Sequence, residues 1–157
     1  MKQNLKLLTR AAVVAALYIV LTLVANMLGL ANGAIQVRLS EALTLLPVLF
    51  AESVWGLFVG CLISNIITGC VIWDIICGSL ATLIGAYVTL KLKNHRFLAS
   101  LAPVVSNAVI VPFVLKYAYG VGDAWWFMVI TVAIGEIITC VFLAPLVVKA
   151  LEKHKLR

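Results

Sequence analysis

Few residues in this sequence can do chemistry, and they stand out against an apolar background. Glu136 is a lone carboxylate inside the run 124–150. Asp74 follows Trp73 at the head of another run, and Arg38 and Glu41 flank Ser40 at the head of a third. Asn65 and Asn107 lie inside two further runs, Gln36 sits two residues before Arg38, and Trp125 and Trp126 open the last run. Carboxylates accept N–H donors, amides donate and accept, and aromatic rings stack. Bond-breaking constellations are missing. There is no G-x-x-x-x-G-K-[ST] phosphate loop and no H-E-x-x-H, and His95 and His154 lie in basic segments with no paired nucleophile. The four cysteines, Cys61, Cys70, Cys77 and Cys140, form no C-x-x-C pair, and none has a histidine at metal-ligand spacing. An enzyme is not expected, nor a cofactor or metal.

The elements holding these residues follow from composition. The chain has 157 residues, 64% of them apolar and only 11% charged. Soluble domains are nearer half apolar and a quarter charged, and disordered chains are poorer still in apolar residues. A spanning helix needs about 20 mostly apolar residues, so six would use roughly 120. The expected class is all-α: a polytopic membrane protein of one domain over 1–157, with six transmembrane helices at about 11–30, 41–50, 54–68, 72–92, 98–117 and 124–150. Ser40 reads as the N-cap of the second, with Glu41 in its first turn. The basic start and apolar stretch 11–28 imitate a signal peptide, but the stretch is longer than a usual signal core. It is read as the first span.

Glu41 to Thr68 could instead be one long helix, giving five spans. Charge decides between the two. The net charge is +6, and the cations gather at Lys2, Lys6, Arg10; at Lys91, Lys93, Arg96; and at Lys149, Lys153, Lys155, Arg157. With six spans all three clusters face the cytoplasm, as do both termini, which satisfies the positive-inside rule. Only Arg38 and Lys116 then lie near the outer face. The charge is thus topological, and no nucleic-acid partner is expected.

With this topology each polar residue has a depth. Arg38, Glu41, Asn26, Asn65, Trp73, Asp74 and Trp125 fall in the outer half. Asn107 is near mid-depth, and Glu136 is roughly 16 Å below Trp125 at 1.5 Å per residue. The inner half is nearly featureless, which is the polarity of a pocket open outward and closed below. Each residue also has a plain alternative. The tryptophans fit an interfacial belt as well as ligand stacking. The asparagines fit interhelical hydrogen bonds. Arg38 with Glu41, or Lys116 with Asp123, fits a weak surface ion pair. Glu136 is the hardest to explain as structure, since a mid-depth carboxylate needs a partner or a proton. Ala11, Ala12, Ala15 and Ala16 make two overlapping A-x-x-x-A pairs, and Gly56, Gly60 and Ser64 make a second small face. Both suit close helix packing.

The stretch Ile35-Gln36-Val37-Arg38-Leu39-Ser40-Glu41-Ala42-Leu43-Thr44-Leu45-Leu46-Pro47 resembles the signature of the QueT family of queuosine-precursor transporters. Leu57 to Cys61 and Asp74 to Leu83 resemble its later blocks, and Asn107-Ala108 and Gly135-Glu136 match shorter ones. The family is similar to the S components of energy-coupling factor transporters. These are six-helix substrate-binding membrane proteins that work with a transmembrane coupling subunit and two cytosolic ATPases. The resemblance implies a coupling-subunit contact at Ala11, Ala12, Ala15 and Ala16. It implies a site near the outer face for an aminomethyl-deazaguanine-like base, built from Gln36, Arg38, Glu41, Asn65, Trp73, Asp74, Ser79, Asn107, Trp125 and Glu136. Glu136 and Asp74 would divide the ring edge and the ammonium group, and an Arg38–Glu41 pair would pin the loop above them. A solitary ion-coupled carrier using Glu136, and an assembly subunit that binds no small molecule, are the competing readings.

Overall fold

The computed structural model describes residues 2–30 and 35–155, so the Ala31–Ala34 part of the first link lies outside it. All regular structure among the described residues is helical: α1 (Lys2–Met27), α2 (Ser53–Ile67), α3 (Ile72–Lys91), α4 (Arg96–Tyr117), α5 (Trp125–Glu136) and α6 (Ala144–Lys155). A seven-residue π-helical segment, Ile137–Leu143, joins α5 to α6 in one continuous rod. Four helices are long and apolar enough to cross a membrane, namely 3–27, 72–91, 96–117 and 125–153. At 15 residues α2 is shorter, roughly 22 Å.

The expected second α-helix is not one. Residues 39–48 form two short 3-10 turns, Leu39–Leu43 and Leu46–Val48. Pro47 has no N–H to bond back to Leu43, and its ring crowds that carbonyl, so a straight α-helix cannot run through it. The N-cap is Arg38 rather than Ser40, and it makes no side-chain cap bond. Ser40 is inside the turn and wholly buried. Every residue from 40 to 47 is buried, so this crossing runs through the middle of the bundle.

Two ion pairs fix the bundle at one end. Arg10 reaches Glu52 at 3.1 Å and lies 4.9 Å above the Phe50 ring. Arg96 binds both carboxylate oxygens of Glu152, at 3.0 and 2.6 Å. Both ends of the described chain therefore lie at this basic end, as an even number of crossings requires. The core here is apolar, with Val14, Tyr18, Leu43, Leu46, Val54, Leu57, Cys61 and Ala86 in one cluster.

Close packing of α1 on α2 uses the small residues the sequence offered. A Cβ on Gly60 would stand 2.8 Å from Tyr18 Cβ and 3.0 Å from the Ala15 carbonyl oxygen, and one on Gly56 would strike the Ala11 carbonyl oxygen. Ala15 is consequently buried, whereas Ala12 and Ala16 are exposed on the opposite face. The four alanines thus divide, one pair packing within the chain and the other facing out.

Candidate functional site

The far end of the bundle, where α1 ends and α3 begins, encloses a cavity of about 350 Å³. Thr22 and Asn26 of α1, Gln36 and Arg38 of the first link, Asn65 of α2, Thr68 just after it and Asp74 of α3 supply its polar lining, closed by Tyr119. Among the residues expected from sequence, Gln36, Arg38, Asn65 and Asp74 thus meet in one place.

Asp74 is 4% exposed. Its Oδ2 accepts a bond from the Tyr119 hydroxyl at 3.0 Å, while Oδ1 has no partner among the described residues. A buried acceptor without a donor is costly. Tyr119 also accepts from the Val71 amide at 3.4 Å, so the loop after α4 is tied to the start of α3. Burial, and then the neighbouring Asp74 carboxylate, raise the Tyr119 phenol above its ordinary value, which keeps it a donor at neutral pH. Asn65 points its amide toward the same corner, donating to the Asp74 carbonyl at 3.4 Å.

Glu136 lies one layer deeper. It opens onto a recess of about 10 Å³ shared with Gln36, Arg38, Val111 and Val132, room for about one water. Gly135 lets the link lie directly on α5, because a Cβ there would collide with the Gln36 carbonyl oxygen. Glu41 is wholly buried and takes the Tyr18 hydroxyl on Oε1. Arg38 makes no ion pair within 4.0 Å among the described residues, so the expected Arg38–Glu41 pair does not form: Tyr18 occupies the carboxylate instead. Lys116 and Asp123 do not pair either. Asn107 is buried beside Glu136. Glu41, Glu136 and Cys140 each bring one atom within 4.8 Å of the others. Tyr18 and Cys140 already donate to the two acids, so this trio reads as a hydrogen-bonded acid pair rather than a metal set.

Glu41, Asn107 and Glu136 thus lie below the cavity rather than in its lining, and three further expected residues lie away from both layers. Trp73 is 62% exposed and Trp125 is 42% exposed, the latter packed 5.7 Å from the Phe113 ring. Ser79 is buried and spends its hydroxyl on the Ile75 carbonyl at 2.6 Å. Sequence reasoning missed Thr22, Cys70 and Tyr119 in the lining. One signal was available: Tyr18, Thr22 and Asn26 recur at four-residue spacing and form a polar stripe on an otherwise apolar helix. Nothing local marks Tyr119.

The QueT transporter family matches residues 8–153, a span containing all of these side chains. The chain belongs to that family. With its long apolar helices, this family member is a membrane protein. It is 36% identical over 74 residues to the queuosine precursor transporter QueT of Lactococcus lactis subsp. cremoris (strain MG1363). That match covers 46% of this chain and 43% of the relative. No solved structure matches the chain.

Proposed function

We propose that this protein is the substrate-binding subunit of an energy-coupling factor importer and captures a queuosine precursor in the cavity beneath Tyr119. The observation carrying this reading is Asp74 Oδ1, a buried acceptor without a donor beside a cavity lined by Asn65, Gln36 and Arg38. At about 350 Å³ the cavity is at the small end of ligand sites, suited to a single base. Asp74 accepts from the adjacent N–H donors of a purine-like edge or from an aminomethyl ammonium group. Arg38 donates to a ring carbonyl, and Gln36 and Asn65 read what remains. The stacking partner is Tyr119, the aromatic residue in the lining, rather than a tryptophan.

The basic end faces the cytoplasm by the positive-inside rule, which opens the cavity outward. A coupling subunit and two ATPases supply the energy, because the chain carries no phosphate loop. Ala12 and Ala16, exposed on α1, offer the partner contact. The buried acid pair supports a second reading, a solitary ion-coupled carrier. Purified protein is tested for precursor binding by calorimetry, then for uptake in vesicles with and without ATPase partners. Binding, with uptake only in the presence of partners, is expected. Uptake by the chain alone would favour the carrier, and absence of binding would refute both.

A further inference from the structure

The ligand reading leaves the acid pair without a task. Glu41 is wholly buried and Glu136 is 6% exposed. Tyr18 of α1 donates to Glu41 Oε1, and Cys140 of the π segment donates to Glu136 Oε2 at 3.3 Å. Asn107 of α4 faces Glu136. From α2 the facing titratable group is Cys61, buried behind Glu41. The cation facing the pair is Arg38, which lies beyond ion-pair distance of either acid. Glu41 Oε2 has no donor among the described residues. Two neighbouring carboxylates in an apolar interior repel, and such pairs hold a proton between them. A protonated carboxyl is also a donor, which the unpartnered oxygen lacks.

Gln36 and Arg38 stand between this pair and the ligand. Both line the cavity and both line the recess that reaches Glu136. We propose that Glu41 and Glu136 form a proton-binding site that holds one proton when no ligand is bound and releases it when a cationic ligand occupies the cavity, with Arg38 as the coupling group. This rests on the ligand reading above. Arg38 shares the cavity with Asp74 and the recess with Glu136. A cationic ligand that engages Asp74 competes with Arg38 for that carboxylate, and the guanidinium, with one N–H on the ring carbonyl, turns its remaining N–H groups toward Glu136 across the recess they share. It then offsets a second negative charge there. The O–H bond of the carboxylic acid breaks, the electron pair stays on the carboxylate, and the proton passes through the recess to solvent. The loaded protein binds one proton fewer, so affinity rises with pH. The rise is up to about tenfold per pH unit while the unloaded pair stays protonated.

The test is calorimetry of an aminomethyl-deazaguanine base binding to the full chain at one pH, in buffers of different ionisation enthalpy. Binding heat should vary with the buffer in the sense and size of one proton released. Glu136→Gln and Glu41→Gln should each flatten that dependence in whatever binding remains. Should neither variant fold, the infrared difference spectrum of the unaltered protein decides: loading should remove a protonated-carboxyl band. Heat independent of the buffer, proton uptake, or an unchanged carboxyl band would overturn the proposal while leaving the ligand reading intact. No binding heat at all would overturn both.

Discussion

Replacing Asp74 by Asn changes charge at nearly constant shape, which makes it the sharpest probe of the cavity. The new side chain keeps an oxygen for the Tyr119 hydroxyl, now 3.0 Å from Oδ2. What it removes is the negative charge at Oδ1, buried and without a donor. A hydrogen bond to a charged group contributes roughly 1.5–3 kcal/mol, which is about 10- to 150-fold in affinity. A Coulomb estimate for unit charges about 4 Å apart at an effective dielectric of 20 gives roughly 4 kcal/mol, so the upper part of the range is favoured. Titration calorimetry of a queuosine precursor against both proteins reads the difference. Tyr119→Phe is the control, since it keeps the charge and the ring and deletes only the hydroxyl's two bonds, to Asp74 and from the Val71 amide; a smaller loss than for Asp74→Asn is expected. The reasoning fails if Asp74→Asn binds within twofold of the parent. It fails equally if Tyr119→Phe loses as much, for then the clamp and not the charge matters.

Gly135→Ala should push the Gln36 backbone off α5 and weaken precursor binding about tenfold or more, measured by the same titration. Gly60→Ala should separate α1 from α2 and cost roughly 1–3 kcal/mol, seen as a lower melting temperature in detergent with the fold retained. Tyr18→Phe strips Glu41 of its donor and should destabilise by about 1–3 kcal/mol, again read by thermal unfolding. A melting temperature equal to the parent's would show that another group already satisfies Glu41.

The crossings were legible because period and charge agree: long apolar runs bounded by cation clusters admit few topologies. α3 and α4 lie within two residues of their expected limits. The second crossing was misread because its apolar content suits a helix, while Pro47 and burial on all sides impose two turns. Asp74 and Asn65, which line the cavity, stood out in the sequence because polar residues are rare in such runs. The same rarity overvalued Trp73, Trp125 and Ser79, whose directions depend on helix rotation. Glu41 was given to Arg38 by proximity in sequence, whereas Tyr18, twenty-three residues away, takes it. Only the fold brings those two together.

The two-turn crossing also bears on how the protein is made. Its backbone cannot satisfy itself in the way a helix does, and lipid offers no hydrogen bonds to unpaired carbonyls. With residues 40–47 buried on every side, this segment has no stable life facing acyl chains. It must therefore enter the bilayer after, or together with, the helices that enclose it. α1 and the α3–α4 hairpin can insert as independent spans, and the cavity-lining link 35–38 is drawn into place only when the central segment docks between them. Biogenesis should thus place the cavity last, and a chain arrested before α5 should be inserted yet unable to bind.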